Sequence, residues 1–208
     1  MLLEPDFFDY NNLIIFTRSA NQPEYQLLLH GFMNGLTKES IASLFLNQHD
    51  FNSLPIDTVC RAYALKTNED SQISITLSNK TNEIQAPQEL DKRRKNLIIF
   101  DDCVDDKNED IMESYYTRGR HSNCNCIYLS QSYYALPKQS IRNNANFIIL
   151  FKLTAQDRDL IYRDTASAMI DKVSFKQLTN RIWRNKYAYV VLNRVNDSCD
   201  TCNLFGDK

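Results

Sequence analysis

The chain has 208 residues, of which 43% are hydrophobic and 24% are charged, and its formal net charge is −2. This fits one globular domain with a two- or three-layer core, which we place at residues 1–195, followed by a polar tail at 196–208. The near-neutral charge excludes a broad basic field, so any contact with a polyanion must be local. No apolar run approaches the roughly 20 residues of a membrane span, and the start lacks a secretory signal, so we expect a soluble, intracellular protein without a membrane partner.

The first part of the chain predicts a strand followed by two helices. Residues 12–17 form an apolar run of strand length, and Pro23 suits the first turn of a helix. Thr37 can cap a second helix, whereas residues 50–66 favour no single structure. The first helix should face the sheet with the apolar residues that recur at helical spacing: Tyr25, Leu28, Leu29, Phe32 and Met33.

Residues 72–78 alternate between polar and apolar side chains, which is typical of an edge strand or a hairpin arm. Residues 81–95 are polar and contain Pro87, so we expect a solvated connection. This segment ends in a cationic run that is a candidate for contacts with nucleic acid, or simply a hydrated loop: Lys92, Arg93, Arg94 and Lys95.

The apolar run at residues 97–100, which follows Asn96, ends in two adjacent carboxylates, Asp101 and Asp102. Such a run predicts a buried central strand whose carboxyl end delivers both acids to the sheet edge where α/β proteins place ligands. In a nucleotide hydrolase, the first acid of a Walker B pair holds Mg²⁺ and the second orients or deprotonates the attacking water. The alternative is a core strand followed by an Asp-rich turn.

The rest of the chain alternates between predicted helices and strands. The predicted helices lie at residues 107–116, 136–142, 155–165 and 174–184, and the predicted strands at residues 126–129, 147–151 and 187–192. Solid apolar strands that alternate with amphipathic helices indicate an α/β fold with a mostly parallel sheet sandwiched by helices.

Ser130 and Gln131 directly follow the strand at residues 126–129. Because the carboxyl ends of parallel strands share one edge, we expect these side chains near Asp101 and Asp102. A side-chain amide can hold the attacking water or sense the terminal phosphate, since it both donates and accepts hydrogen bonds. The alternative is that Ser130 and Gln131 only form hydrogen bonds with polar groups of their own loop.

Arg118 and Arg120 flank Gly119, and Arg142 lies on the short helix after Gln131. A guanidinium can stabilise the charge that develops on a transferring phosphoryl group, often from a neighbouring subunit. The alternative role for each arginine is a surface salt bridge. The six cysteines predict mostly free thiols, with a four-thiolate zinc site as the alternative use of Cys124, Cys126, Cys199 and Cys202.

Several motifs follow one another in a recognisable order between about residues 10 and 155. They are LIIF at 13–16, NQPEYQ at 21–26, LIIFDD at 97–102, RGRHSN at 118–123, YLSQSY at 128–133, LPK at 136–138 and IRNN at 141–144. This series resembles the genome-packaging ATPases of poxviruses, other large DNA viruses, virophages and Maverick/Polinton elements, within the FtsK/HerA group of P-loop motors. The resemblance implies a RecA-like P-loop NTPase core.

The resemblance also implies roles for individual residues, with ATP and Mg²⁺ as cofactors. Asp101 resembles the Mg²⁺-coordinating acid, and Asp102 resembles the catalytic acid. Gln131 resembles the sensor at the end of the next strand, with Ser130 beside it at the nucleotide. The three arginines are then the candidates for an arginine finger.

The partners and location implied by the resemblance are those of a packaging motor. Such a motor forms a homo-oligomeric ring and pumps double-stranded DNA into a capsid, with a capsid or portal component as a partner. The cationic run, Arg118, Arg120 and Lys138 are the local candidates for contacts with DNA phosphates. The implied location is the cytoplasm or nucleus of the host, or the virion.

One part of the family's pattern is absent from these 208 residues. Phosphate binding needs G-x-x-x-x-G-K-[ST], but none of the four glycines precedes a Lys-Ser or Lys-Thr pair. In the family this loop lies upstream of the strand that residues 13–16 resemble. We therefore expect the first strand and the Walker A loop to be missing, as in an amino-terminally truncated reading frame. The chain alone should hydrolyse ATP negligibly, and neighbouring strands should have exposed apolar edges.

Three hypotheses therefore stay open. In the first, the chain is such a catalytic core. In the second, it is a non-catalytic module, derived from such a core, that binds DNA or an intact motor. A phosphate loop upstream favours the enzyme, and a genuine start at Met1 favours the module. The third hypothesis is an unrelated α/β fold with a chance acidic strand end, which leaves the ordered motifs unexplained.

Overall fold

A computed structural model describes residues 2–4, 7–47, 54–103 and 109–195 of the chain. The chain divides into two compact units, Met1–Ile141 and Arg142–Lys208. The single domain expected over residues 1–195 stays a prediction, and the polar tail at 196–208 lies outside the described residues. None of the described helices combines the length and the apolar character that crossing a bilayer requires.

The first unit contains a sheet of four parallel strands. Their bounds are β1 (Asn12–Thr17), β2 (Ser74–Ser78), β3 (Asn96–Asp101) and β4 (Cys124–Leu129), and their order is β2-β1-β3-β4. The solid apolar strands β1 and β3 are the inner strands, as their sequences predict. The alternating strand β2 lies at an edge and pairs in parallel with β1, so it is an edge strand and not a hairpin arm.

Four helices belong to the same unit. Their bounds are α1 (Pro23–Met33), α2 (Lys38–Leu46), α3 (Ile56–Thr67) and α4 (Glu109–Arg118). The Thr37 side chain accepts a hydrogen bond from the Ser40 backbone N–H at 3.3 Å, so it caps α2 as predicted. α3 occupies the second half of the stretch for which the sequence favoured no single structure.

The two faces of the sheet bury alternate residues of its inner strands. One face packs against α1, α2 and α3, and its inner-strand residues are Leu13, Ile15, Leu97 and Ile99. The other face packs against α4, and its inner-strand residues are Phe16, Ile98 and Phe100. A parallel sheet with helices on both faces confirms the α/β class predicted from the sequence.

The prediction of which α1 residues face the sheet was wrong at one residue. Met33 is 68% exposed, whereas Leu27, Leu28 and Phe32 are buried. Because each helical residue turns by about 100°, Met33 lies on the side of α1 opposite to the stripe formed by these leucines and Phe32. Helical spacing alone left the limits of that stripe undefined.

Two further expectations about burial were wrong. β4 was predicted as a buried strand, but it pairs only with β3 among the described strands, and Leu129 is 44% exposed. The segment at 81–95 was predicted as a solvated connection, but Ile84 and Leu90 are buried and join the core beside α4. Two 3₁₀ turns, Thr81–Glu83 and Pro87–Glu89, carry the chain through this segment.

The described part of the second unit contains two strands and two α-helices. Their bounds are β5 (Phe147–Leu150), α5 (Ala155–Asp164), α6 (Lys172–Ile182) and β6 (Val190–Asn193). β5 and β6 pair in antiparallel fashion, which differs from the parallel pairing of the first unit. The Trp183 indole N–H donates to the Leu150 carbonyl at 3.3 Å and joins the end of α6 to β5.

Candidate active site

The predicted acidic residues lie at the carboxyl end of the inner strand β3. Asp101 is the last residue of this strand, in register with Thr17 of β1 and Leu129 of β4. The parallel arrangement therefore brings the ends of three strands together around Asp101. This is the edge at which α/β proteins bind their ligands.

Two hydroxyl groups hold the Asp101 carboxylate through the same oxygen. Thr17 Oγ1 donates to Asp101 Oδ2 at 2.8 Å, and the Tyr25 hydroxyl of α1 donates to that oxygen at 2.6 Å. Within the described residues, the second oxygen, Oδ1, has no hydrogen-bond donor. The carboxylate is therefore fixed on one side and available to a ligand on the other.

The protonation of Tyr25 keeps this arrangement intact. Burial raises the pKa of the Tyr25 hydroxyl, and the hydrogen bond to Asp101 and its negative charge raise it further. The hydroxyl therefore remains a donor throughout the physiological pH range. A hydrogen bond from a neutral donor to a carboxylate is charge-assisted and is stronger than a hydrogen bond between two neutral groups.

Asp102 has a different backbone conformation from its neighbour. Its φ is 53°, in the left-handed region, and its N–H donates to the Leu129 carbonyl at 3.2 Å. Aspartate tolerates this region better than most residues with a side chain. The turn takes Asp102 out of the strand, and the residue is exposed to solvent.

Ser130 and Gln131 follow β4 at the same edge of the sheet. The Ser130 hydroxyl donates to the Ser132 carbonyl at 2.8 Å and accepts from the Ser132 N–H at 3.2 Å, so it stabilises its own loop. Gln131 is exposed, and its amide has no partner within the described parts of the chain. Of these two residues, Gln131 has the side chain available to contact a bound ligand.

Arg118 and Arg120 lie at the opposite end of the sheet. They precede β4, whose first residue pairs with Asn96, the first residue of β3. The length of β3 therefore separates them from Asp101, and five steps along a strand correspond to roughly 16 Å. Neither guanidinium can contact the acids of its own chain at this separation.

Arg142 forms an ion pair within the second unit. Its Nη1 atom donates to Asp164 Oδ2 at 2.9 Å, and only 10% and 19% of the two side chains are exposed. The Arg142 carbonyl also accepts a hydrogen bond from Arg194. These contacts give Arg142 a structural role in this unit, and its role as an arginine finger stays a prediction.

The donor set at the edge fits a hard divalent cation. Mg²⁺ prefers oxygen ligands and keeps several waters, so one or two carboxylates and the phosphates of a nucleotide complete its shell. Asp101 offers one free carboxylate oxygen, and Asp102 follows it directly. Within the described residues, no group of three or more His, Cys, Asp or Glu side chains forms a metal cage.

The described cysteines are free thiols. Cys60, Cys103, Cys124 and Cys126 form no disulfide among the described residues. Burial raises the pKa of the Cys124 thiol to about 12 and raises that of Cys126 well above its ordinary value. Both thiols are therefore protonated in the absence of a metal ion, and the zinc site stays an alternative from the sequence. Cys199 and Cys202 lie outside the described residues.

Sequence reasoning missed Thr17 and Tyr25 as parts of this site. Thr17 is the polar residue that ends an apolar strand, which is the same signal that marked Asp101. Tyr25 was assigned to the apolar side of α1, because spacing gives no information about its hydroxyl. Only the parallel register of β1 and β3 and the packing of α1 bring both hydroxyls to Asp101.

A parallel sheet with helices on both faces, in which acids follow an inner strand and an amide follows the next strand, is consistent with a RecA-like α/β core. The model of one protein family, the Poxvirus A32 protein, matches residues 58–208. The chain belongs to this family, whose members are packaging ATPases, FtsK/HerA-type P-loop NTPases. The match includes β3 and β4 and begins after α2. No curated protein and no solved structure matches the chain.

Proposed function

We propose that this chain supplies the catalytic edge of an ATP-driven motor that moves double-stranded DNA into a capsid. Asp101 coordinates the Mg²⁺ of the nucleotide, Asp102 orients or deprotonates the attacking water, and Gln131 senses the terminal phosphate. The observation that carries this proposal is that the three residues directly follow or end neighbouring parallel strands at one sheet edge, with one oxygen of Asp101 open. The family supports DNA and capsid partners and a location inside the host cell or in the virion.

The phosphate-binding element is proposed to be a further strand and loop that pair with β4. The 208 residues contain no G-x-x-x-x-G-K-[ST] sequence. β4 is apolar, as inner strands of parallel sheets are, yet it has a single neighbour among the described strands. A parallel strand on its outer side would end beside Gln131 and bring a phosphate loop to the acids. Without that element, we expect the chain to hydrolyse ATP negligibly.

The test is to join a strand and phosphate loop of this kind to the amino terminus and to measure ATP hydrolysis with and without Mg²⁺. The fused protein should show Mg²⁺-dependent turnover that the 208-residue chain lacks. Asp102→Asn should lower this turnover by about 10²- to 10⁴-fold, because it removes the acid–base group. Asp91→Asn, at the other end of the sheet, is the control and should have little effect.

Two results would contradict this proposal. Turnover by the unfused chain that is lost in Asp102→Asn would show that no further phosphate loop is needed. A fused protein that works equally well with Asp102→Asn would remove Asp102 from the catalytic machinery.

The motor is further proposed to be a homo-oligomeric ring in which Arg118 or Arg120 acts on the nucleotide of a neighbouring subunit. The support for this proposal is their position at the end of the sheet opposite to their own acids, where they cannot act on the nucleotide of their own chain. Mixing fused Arg118→Ala/Arg120→Ala protein with fused Asp102→Asn protein should restore turnover, because mixed interfaces then combine intact groups. Mixtures with no more activity than the separate variants would exclude this arrangement.

A non-catalytic module derived from such an ATPase is the second candidate function. In this case the chain binds DNA or an intact motor subunit, and Asp101 and Asp102 have no catalytic role. The fusion experiment separates the two functions, since a module would gain no turnover from an added phosphate loop.

A further inference from the structure

Asp101 is tied to two different elements of the first unit. Thr17 comes from the neighbouring strand β1 and Tyr25 from the first turns of α1, yet both hydroxyls donate to the same carboxylate oxygen. Two donors that converge on one oxygen fix the rotation of the carboxylate about its own axis. A single donor would leave that rotation much less restricted.

Both donors are themselves held in place. Thr17 is only 1% exposed, and its hydroxyl oxygen accepts a hydrogen bond from the Ser19 N–H at 3.1 Å. This bond directs the single hydroxyl hydrogen of Thr17 towards Asp101. The ring of Tyr25 packs against the core beneath α1, which holds its hydroxyl beside Asp101.

Neither hydroxyl competes with a cation for the open oxygen. Both bonds end on Oδ2, so Oδ1 keeps its lone pairs for a metal ion or a metal-bound water. Ligating carboxylates in metal sites are commonly oriented in this way by hydrogen bonds from outside the metal's own ligands.

We propose that Thr17 and Tyr25 are positioning residues, which hold Asp101 by Oδ2 so that Oδ1 faces the divalent cation. This inference rests on the proposed role of Asp101 as the Mg²⁺ ligand. It adds to that role a requirement for two groups that touch neither the cation nor the nucleotide. The competing explanation is that the two bonds only join α1 to the sheet and contribute to folding.

The experiment measures Mn²⁺ binding to the 208-residue chain by electron paramagnetic resonance, in which bound Mn²⁺ loses the signal of the free ion. Tyr25→Phe and Thr17→Val should each weaken Mn²⁺ binding about 10-fold, a typical loss for such outer contacts. Thr17→Ser keeps the hydroxyl and should retain the wild-type affinity. Asp101→Asn should abolish binding.

Tyr115→Phe is the matched control for Tyr25→Phe. Tyr115 is a buried tyrosine of the first unit, whereas Tyr25 is half-buried, and the Tyr115 hydroxyl donates to the Gln85 carbonyl at 2.8 Å. Its removal should leave Mn²⁺ affinity unchanged. Thermal unfolding of each variant shows how much of any change comes from folding.

The outcomes separate this inference from the proposed function. If Asp101→Asn abolishes binding but Tyr25→Phe and Thr17→Val bind as the wild type does, the positioning role is overturned and the metal assignment stands. The same conclusion follows if these two variants lose only thermal stability. If the wild type binds no Mn²⁺, or if Asp101→Asn binds it with unchanged affinity, the assignment of Asp101 as a metal ligand is wrong. The positioning role of Thr17 and Tyr25 is then wrong as well.

Discussion

Asp101 and Asp102 are adjacent in the sequence, but the structure gives them different environments. Asp101 completes a strand and accepts two hydrogen bonds, whereas Asp102 leaves the strand with a positive φ and is exposed. A left-handed conformation costs about 1–2 kcal/mol for most residues with a side chain and less for aspartate. Backbone strain of this kind is often retained where a side chain must point to a ligand.

We expect substitutions at Asp102 to separate folding stability from catalysis. Asp102→Gly should leave the free energy of unfolding within about 1 kcal/mol of the wild type, because glycine adopts a positive φ without steric cost but loses more backbone entropy on folding. Asp102→Val should lower it by about 1–2 kcal/mol, because a branched side chain is unfavourable there. Urea unfolding of the 208-residue chain measures both changes. Equal effects of glycine and valine would show that the positive φ does not persist in solution.

At the scale of the element, α2 owes its start to residues from two segments. The Thr37 hydroxyl accepts from the Ser40 N–H, and Glu69, which follows α3, accepts from the Thr37 N–H at 2.8 Å and from the Ser40 hydroxyl at 2.6 Å. These bonds satisfy donors that an isolated helix end leaves unpaired. A carboxylate at this end also interacts favourably with the helix dipole.

The contribution of Glu69 should depend on pH in a defined direction. The Ser40 hydroxyl, followed by the Thr37 N–H, lowers the pKa of Glu69 below its ordinary value of 4.5. Since the folded-state pKa is lowered, the stabilisation is fully present above about pH 4.5 and is lost as the pH falls through the folded-state pKa. Glu69→Gln should therefore destabilise the chain at pH 7 and have less effect as the pH falls below 4.5.

Chemical unfolding at a series of pH values measures this difference. Ser40→Ala removes the larger cause of the shift, so the pH-dependent part of the Glu69→Gln effect should shrink in that background. A wild-type advantage over Glu69→Gln that is constant down to pH 3 would contradict the assignment.

At the scale of the first unit, opposite charges are separated along the strands. The acids lie where β3 ends, whereas the connection before β3 and the 3₁₀ turn Gly119–Ser122 before β4 carry cations. Asn123 joins these two segments, because its side-chain amide donates to the Arg94 carbonyl at 2.8 Å. Arg94 donates to the Asn11 carbonyl, and Lys95 forms an ion pair with Asp9. Four other exposed cations make no ion pair within the described residues: Lys92, Arg93, Arg118 and Arg120.

Apart from whichever of Arg118 and Arg120 acts on the neighbouring nucleotide, these four cations are expected to contact DNA phosphates. Replacing all four by glutamine should weaken binding of double-stranded DNA equally for different base sequences, since phosphate contacts carry no sequence information. The slope of log affinity against log salt concentration should fall by about 0.9 for each contact that is lost. Fluorescence anisotropy over a salt series measures both quantities.

The control for this experiment is Lys66→Gln, an exposed cation on α3 outside the cluster. It should leave the salt dependence unchanged. If the fourfold variant retains the wild-type slope, the four cations do not form the DNA-binding surface.

The sequence predicted the elements whose signals are local and strong. Solid apolar runs predicted β1 and β3, alternation predicted β2 as an edge strand or a hairpin arm, and Thr37 marked the start of α2. Signals that depend on the surroundings of an element were less informative. Met33 has the apolar character of a core residue but lies on the outer side of α1, and Ile84 lies in a polar segment but is buried.

By itself, the sequence determined the α/β class, the mostly parallel sheet and the pair of acids at a strand end. These follow from local patterns, because solid apolar strands that alternate with amphipathic helices indicate a parallel sheet. Only the tertiary structure decided which groups surround those acids. Thr17 and Tyr25 lie 84 and 76 residues before Asp101 along the chain, and strand register and helix packing alone bring them to its carboxylate. For the same reason, only the fold shows that Arg118 and Arg120 lie at the opposite end of the sheet from the acids.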